Sequence, residues 1–329
     1  MKINICFVTD DNYAMPTCVA ASSIQRLASR GTRYDCYVLC KNVSSKKIDK
    51  FMQLCNSYFK VKLIELDDRY DFSKYRIDGI PATSTSIYKF FIPNILKSIE
   101  RVIYLDGDII VRKDLTELYN TDLGKNYIGA VKDNSGLDYK DLDGRGYSYI
   151  NSGMMLMDLE KMRQDEVPEK LFEYRRTGYN KLMDQDAFNY VLRDKTMRLL
   201  FKYNTQTNAL SRTFENKPEY TLDRIKKYWR LDDDMLLEDV FDDATILHFA
   251  TAKPWKYYDG YGNDLWLYYY LTSPYADDGI VRTSRYIKEV SYSTTFCVGK
   301  AILKPLVSLK KFLFRSDSER KNFLKNFIS

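Results

Sequence analysis

Apolar and polar positions along the first 110 residues switch between two periods. The runs INICFVT (3–9), YDCYVLC (34–40), VKLIEL (61–66) and Val102-Ile103-Tyr104-Leu105 are short and apolar, which predicts buried strands. Between them the spacing turns helical. One helix is predicted from about Pro16 to Arg30. A second covers SSKKIDKFMQLCNSYF (44–59), where Ile48, Phe51, Met52 and Cys55 share a face, and a third covers about 84–98. Strands alternating with helices predict an α/β sandwich around a mostly parallel sheet.

Beyond Asp108 the pattern is less regular. YIGAV (127–131) and YINSGMMLM (149–157) read as strands, and DLEKMRQDEVPEKLFEYRR (158–176) and DQDAFNYVLR (184–193) as helices. The polar LDYKDLDGRGY (137–147) reads as a loop long enough to have a function. No repeat, low-complexity tract or Pro/Gly linker interrupts the chain before about residue 275. The expectation is one domain over 1–270 and a separate tail over 271–329.

Bulk composition changes this picture in three places. First, 45% apolar and 29% charged residues in a chain of 329 are ordinary for a soluble globular protein, but 28 Tyr and 17 Phe are not. They suit stacking on sugars or bases, or a tyrosine-rich core. Second, the net charge of +6 belongs to the tail: residues 281–329 hold 11 Lys/Arg against 3 Asp/Glu, whereas the other 280 hold 40 against 42. A nucleic-acid binder would spread its positive charge over a face, so that class is set aside. Third, the six cysteines (6, 18, 36, 40, 55 and 297) form no CxxC, and most lie in or beside apolar segments. They read as reduced core thiols. Met1-Lys2 leads straight into a strand without a signal peptide, and no run nears the roughly 18 apolar residues of a spanning helix, so a cytoplasmic protein is expected.

Four polar groupings stand where the pattern alone does not call for them. Asp106-Gly107-Asp108 interrupts an apolar segment at a strand end, where ligands bind in open α/β sheets. Two carboxylates one residue apart can converge on a hard divalent cation whose charge offsets their repulsion; alone, the motif is equally a turn. His248, the only histidine, ends the strand-like ATILHFA, five residues before Lys253. An imidazole beside a lysine suits a metal–diphosphate site, and it moves the expected ion from Mg²⁺ toward Mn²⁺. Asp10, Asn12 and Tyr13 follow the first strand, at a place suited to holding a base or forming a polar turn. In MDQDAFNYV, Asp184 and Asp186 have the spacing of helix-start acids, and Gln185 between them could face a cationic sugar transition state.

Taken in order, VTDDNYA, YLDGD, INSGMMLMDL, MDQDAFN and LHFATAKPW resemble retaining glycosyltransferases of the glycogenin and lipopolysaccharide galactosyltransferase type, family 8. The motifs span residues 8–255. The resemblance implies a GT-A fold, a nucleotide-sugar donor (usually a UDP-hexose) and Mn²⁺, with Mg²⁺ as the other ion. By position it makes Asp106, Asp108 and His248 the metal ligands. Asp10, Asn12 and Tyr13 match nucleoside-binding residues, and Lys253 matches a lysine on the diphosphate. Ser86 and Lys89 take the places of a hydroxyl and a basic residue near the donor, with Lys89 standing for a commoner Arg. Asp133, Asn151, Asp184 and Gln185 match residues around the transferred sugar; Gln185, Asp184 and Asp133 are the candidate catalytic residues. Phe249-Ala250-Thr251-Ala252 is shorter than the family's usual spacing before the lysine, so that loop must take a shorter path. The implied acceptor is a glycan or glycolipid, such as a bacterial surface polysaccharide or lipooligosaccharide. No carboxylate nucleophile is apparent near Gln185 beyond its neighbours, so same-face attack through an ion-pair-like state is the expected route to retention.

Two other classes compete. A haloacid-dehalogenase phosphatase expects its acidic motif near the N-terminus with a hydroxyl residue soon after, but Asp108 is followed by Ile109-Ile110-Val111-Arg112. A nucleotide-sugar-binding protein without turnover would keep the fold but needs no complete metal and diphosphate set. In the tail, GKAILKPLVSLKKFLF (299–314) places Ile302, Leu306, Leu309 and Leu313 at helical spacing with Lys304 and Lys311 roughly opposite. A basic amphipathic helix predicts attachment to an anionic membrane surface from the cytoplasmic side.

Overall fold

The computed structural model describes residues 1–66, 84–134, 149–177, 182, 184–214, 221–283 and 296–297. In chain order the first half holds β1 (Lys2–Asp10), α1 (Ala14–Gln25), β2 (Arg33–Lys41), α2 (Ser45–Met52), β3 (Phe59–Glu65), α3 (Ser84–Tyr88), α4 (Ile92–Ile95), β4 (Arg101–Leu105), β5 (Ile109–Val111) and α5 (Thr116–Tyr119). The second half adds β6 (Ile128–Lys132), β7 (Ile150–Asp158), α6 (Leu159–Gln164), α7 (Val167–Thr177), α8 (Asp184–Val191), β8 (Thr196–Arg198), β9 (Thr205–Gln206), α9 (Thr207–Phe214), α10 (Leu222–Trp229), α11 (Leu237–Asp243), β10 (Ile246–His248) and α12 (Asn263–Leu271). β11 (Val281–Arg282) pairs antiparallel with β12 (Phe296–Cys297).

Seven strands form the main sheet in the order β3-β2-β1-β4-β7-β6-β8. Every pairing is parallel except the two made by β7, which runs against β4 and β6. Alternation along the strands divides the core between the two faces of this sheet. Ile3, Ile5 and Phe7 of β1, with Ile103 and Leu105 of β4, pack with α1, α12 and the small sheet. Cys6 and Val8, with Val102 and Tyr104, pack on the opposite face with Phe90, Leu171 and Phe188. Central β4 and β7 are buried on both faces and so are mostly apolar along their length, whereas β3 at the sheet edge alternates buried Phe59 and Val61 with exposed Lys60 and Lys62.

A second sheet, β5-β10-β9, sets β10 antiparallel to β5 and parallel to β9. β4 of the large sheet and β5 of the small one are therefore joined by the three residues Asp106-Gly107-Asp108 alone. Register places His248 opposite Ile109 on one side and Gln206 on the other. The backbone N–H of Asp106 donates to the Gly153 carbonyl (2.8 Å), and that of Phe249 donates to the Asp108 carbonyl (2.9 Å). Each aspartate's backbone is thus tied to a different neighbouring strand or strand end.

Several helices differ from their predicted spans. The first starts at Ala14 and stops at Gln25, and the second stops at Met52. The helix expected over 84–98 is broken by a 3₁₀ turn, Lys89–Phe91, and restarts with Pro93 in the first turn of α4; proline is tolerated there because its missing N–H would be unpaired anyway. The segment 158–176 is two helices, since Glu166 takes a left-handed φ of 51° between α6 and α7. The Asp158 carboxylate caps the first of these by accepting from Lys161 N (3.0 Å). Cys6, Cys18, Cys36 and Cys40 are buried free thiols, but Cys55 is exposed and so is not a core residue. Beyond α12, Tyr275 is buried, Lys50 pairs with Asp278 (2.7 Å) and Arg282 donates to the Tyr257 and Asn263 carbonyls. The loop expected at 137–147 and the helix expected at 299–314 lie outside the described residues.

Candidate functional site

β1, β4 and β6 end at one edge of the main sheet, and antiparallel β7 begins there. That edge gathers Asp10, Asp106, Asp133 and the segment Asn151-Ser152-Gly153, and the N-terminus of α8 adds Asp184 and Gln185. The small sheet brings Asp108 and His248 to the same place.

The carboxylates of Asp106 and Asp108 and the His248 imidazole each offer a ligand atom, all within 4.8 Å of one another. Asp108 is buried and lies between His248 Nε2 (3.4 Å from Oδ1) and the Lys253 ammonium, which pairs with its Oδ2. Burial pushes its carboxyl up, but the Lys253 ammonium and the contact with His248 outweigh this and hold it well below the usual carboxylate range. Lys253 also donates to the carbonyls of Phe249 and Ala250 (both 3.0 Å), so the short loop after β10 curls back to place the ammonium on Asp108.

Asp106 is held from another side. Tyr104 donates to its Oδ1 (2.5 Å), and Lys89 lies 3.3 Å from the same oxygen. Lys89 is itself buried, sits 2.7 Å from Asp184 Oδ2 and lies over the Tyr104 ring (4.8 Å). Burial opposes its charge, yet the two carboxylates prevail and raise its pKa above the ordinary lysine value. Lys89 therefore ties the Asp106 side of the site to the α8 side. There Ser152 donates its hydroxyl to Asp184 (2.8 Å) and its backbone N–H to Gln185 Oε1 (3.0 Å). Asn151 donates to Asp133 Oδ2 (2.8 Å), with both residues buried.

The nucleoside-side candidates are less tightly gathered. Asp10 accepts from Tyr13 N (2.9 Å), which fixes the turn into α1, and Asn12 lies exposed in that turn. The Tyr13 ring meets Trp255 edge to face, with centroids 5.4 Å apart. Burial first, then the charges of Asp108 and Asp106, raise the Tyr13 phenol, which stays a neutral donor toward Asp108. Asp11, between them in sequence, instead pairs with Lys47 (2.6 Å). Ser86 is half-buried on α3.

Sequence reasoning missed four residues here. Tyr104 reads as one more apolar strand position, and nothing marks its hydroxyl as a partner for Asp106 two residues on. Ser152 and Gly153 lie inside a motif noted only for Asn151. A Cβ at Gly153 would come within 2.3 Å of His248 Cε1, 2.8 Å of Asp106 Oδ2 and 3.0 Å of Asn151 Oδ1, so only glycine lets these three meet. Gly107 is constrained likewise, by Thr17 Oγ1 at 2.3 Å. Asn204 is fully buried just before β9, with Oδ1 2.9 Å from His248 Nδ1, and no motif in KYNTQT points to it.

The chain is similar to known proteins in sequence and in fold. A family model described as Glycosyl transferase family 8 matches residues 4–259. General stress protein A of Bacillus subtilis is 26% identical over 264 residues, covering 77% of this chain and 87% of its own length. Lipopolysaccharide 1,2-glucosyltransferase of Escherichia coli K12 is 24% identical over 270 residues, covering 77% and 72%. Glycosyltransferase GlyF of Streptococcus pneumoniae is 27% identical over 264 residues, and the chain spans 58% of its length. Among solved structures, an active-site variant of LgtC aligns with a TM-score of 0.68 at 21% identity, over 82% of this chain and 96% of that one. The galactosyltransferase LgtC in complex with donor and acceptor sugar analogs aligns at 0.65 and 22% identity, over the same shares. These likenesses are of fold, the mixed α/β GT-A arrangement with a parallel-rich sheet.

Proposed function

The chain belongs to glycosyl transferase family 8, and from that membership we propose that it moves glucose or galactose from a UDP-sugar to a glycan or glycolipid acceptor, retaining anomeric configuration and using Mn²⁺. One observation carries the reading: Asp106, Asp108 and His248 converge with Lys253 beside them, at the sheet edge where Asp133, Asn151, Asp184 and Gln185 also meet. Two carboxylates and one imidazole fit a borderline-hard divalent ion, and the imidazole favours Mn²⁺ over Mg²⁺. When bound, the ion supplies Lewis-acid stabilisation of the departing diphosphate.

The residues of the chain have distinct tasks in this reading. Lys253 adds positive charge next to the diphosphate position, as a point charge and not a bidentate fork. Tyr13, braced by Trp255, presents an aromatic wall to the nucleoside, with Asp10 and Asn12 at its turn. Ser86 and Lys89 lie on the donor side, and Lys89 holds the Asp184 carboxylate in place through their ion pair. Gln185, its Oε1 taken by Ser152 N, has a set orientation toward the transferred sugar, and no covalent glycosyl-enzyme is formed. Asp133 and Asn151 hold that sugar's hydroxyls. The name of a relative, a lipopolysaccharide 1,2-glucosyltransferase, supports a bacterial surface glycan as acceptor. The basic tail over 271–329 attaches the protein to an anionic membrane at its cytoplasmic face; among the described residues no helix is long and apolar enough to cross a membrane.

A screen of UDP-sugars with Mn²⁺, following UDP release without any acceptor, tests this proposal. Turnover of one UDP-hexose is expected, with its loss in Asp108→Ala. An Asp108→Ala protein that releases UDP at the wild-type rate would overturn the metal assignment. Tight donor binding with no release in the wild type would favour a nucleotide-sugar-binding protein.

A further inference from the structure

Behind the three proposed metal ligands runs a chain of buried amides whose polarity can be worked out from one fixed group. The backbone N–H of Gly153 donates to the side chain of Asn151 at 3.0 Å. A backbone amide has only one sense, so the Asn151 atom facing it is the oxygen, Oδ1. The Asn204 side chain approaches that same oxygen at 2.9 Å, so the Asn204 atom there must be the NH₂ group. The other Asn151 atom is then its NH₂, which agrees with its 2.8 Å contact to the Asp133 carboxylate. The remaining Asn204 atom is the carbonyl oxygen, and it lies 2.9 Å from His248 Nδ1. A carbonyl only accepts, so Nδ1 carries the proton. Turning over either amide would set oxygen against oxygen. Asn204 is 0% exposed, and His248, Asn151 and Asp133 are 3%, 6% and 6% exposed, so the chain of amides is shielded from bulk water.

We propose that Asn204 is a positioning residue that holds His248 in the Nδ1–H tautomer, leaving the Nε2 lone pair directed to the metal position. Through Asn151 it fixes the ligand imidazole and the Asp133 carboxylate on the sugar side in one hydrogen-bonded frame. The direction of donation is continuous: His248 donates to Asn204, Asn204 to Asn151, and Asn151 to Asp133. Partners behind a ligand histidine commonly set its ring orientation and basicity, and their loss costs about 10–100-fold in metal affinity or activity. The inference rests on the metal reading above.

Because His248 is the only histidine, ¹⁵N-histidine labelling gives a spectrum of one imidazole. In metal-free protein the wild type is expected to show a protonated Nδ1, held by the Asn204 carbonyl. Asn204→Ala removes the acceptor, and the proton should move to Nε2, which faces Asp108 Oδ1. Asn204→Asp keeps an acceptor for Nδ1 but loses the donor to Asn151, so its tautomer should match the wild type. Mn²⁺ titrations followed by the EPR signal of free Mn²⁺ should show about 10–100-fold weaker binding for Asn204→Ala and near wild-type binding for Asn204→Asp. Donor hydrolysis should fall in both. An unprotonated Nδ1 in the wild type, wild-type Mn²⁺ affinity in Asn204→Ala, or equal losses of affinity in the two variants would overturn the role of Asn204. A wild type that binds no Mn²⁺ would instead overturn the metal reading.

Discussion

Gly153→Ala adds one methyl group at the point where β7 passes beneath the metal-ligand candidates. The new Cβ would stand 2.3 Å from His248 Cε1, where carbon atoms ordinarily approach to about 3.5–4.0 Å. One of the two must therefore move by more than about 1 Å. His248 has little freedom to do so: its backbone is paired on both sides in the small sheet, its Nδ1 is tied to Asn204, and it is buried. Asp106 Oδ2 at 2.8 Å blocks the other direction. The φ of Gly153 is not left-handed, so the backbone accepts alanine and the protein still folds. Overpacking of this kind costs about 1–3 kcal/mol, a fall in Tm of roughly 2–10 °C for a chain of this size. A ligand displaced by about 1 Å costs on the order of 10²-fold in rate. The assays are Mn²⁺ affinity, Mn²⁺-dependent UDP release and a melting curve. Gly129→Ala is the control, because its Cβ meets only the side-chain ends of Leu123 and Leu199, so stability should fall with Mn²⁺ affinity unchanged. Wild-type metal affinity and turnover in Gly153→Ala would refute the close-approach argument.

Three further outcomes follow from other parts of the molecule. The Lys47 ammonium and then the Ser44 N–H hold the Asp11 carboxyl down to about 2, so this contact stabilises the fold above about pH 4 and is lost as pH falls toward 2. Asp11→Asn should flatten the acid limb of Tm against pH over that window and cost no more than about 1 kcal/mol at neutrality; an unchanged limb would contradict this. Burial, then the hydrogen bond to Glu65, push the Cys40 thiol up to about 12, so iodoacetamide at pH 8 should modify exposed Cys55 well before Cys40, as read by peptide mass spectrometry. Comparable labelling of the two would show that the burial is not maintained in solution. Replacing Lys304, Lys310 and Lys311 together by glutamate should abolish co-sedimentation of the full chain with anionic vesicles, and equal sedimentation would remove the membrane role of the tail.

The sequence pattern carried the longer strands because they are mainly apolar runs, as in INICFVT and VKLIEL, observed as Lys2–Asp10 and Phe59–Glu65, but it missed the short β5, β8 and β9, of which Thr196–Arg198 and Thr205–Gln206 are not apolar runs. It carried helix limits poorly wherever one residue's backbone decides. Glu166 at φ 51° and Pro93 after a 3₁₀ turn split two segments whose apolar spacing runs on without a break. The same division holds at the site. Asp106 and Asp108 are legible because carboxylates inside an apolar segment conflict with burial and call for a partner, His248 and Lys253 because the only imidazole of the chain ends an apolar run five residues before a lysine, and Asp184 only through the family resemblance. Asn204 and Gly153 conflict with nothing locally. Their meaning depends on β7 lying beside β4 and on β9 lying beside β10, pairings between segments 50 residues or so apart that no local period encodes.

The three residues Asp106-Gly107-Asp108 are also a mechanical seam, because the large sheet ends at the first and the small sheet begins after the last. Anything gripped by Asp106 on one side and by Asp108 and His248 on the other works as a clasp across that seam. Its grip would be felt along β5, β9 and β10 as a whole, as slower amide exchange in those strands that scales with the concentration of what is gripped.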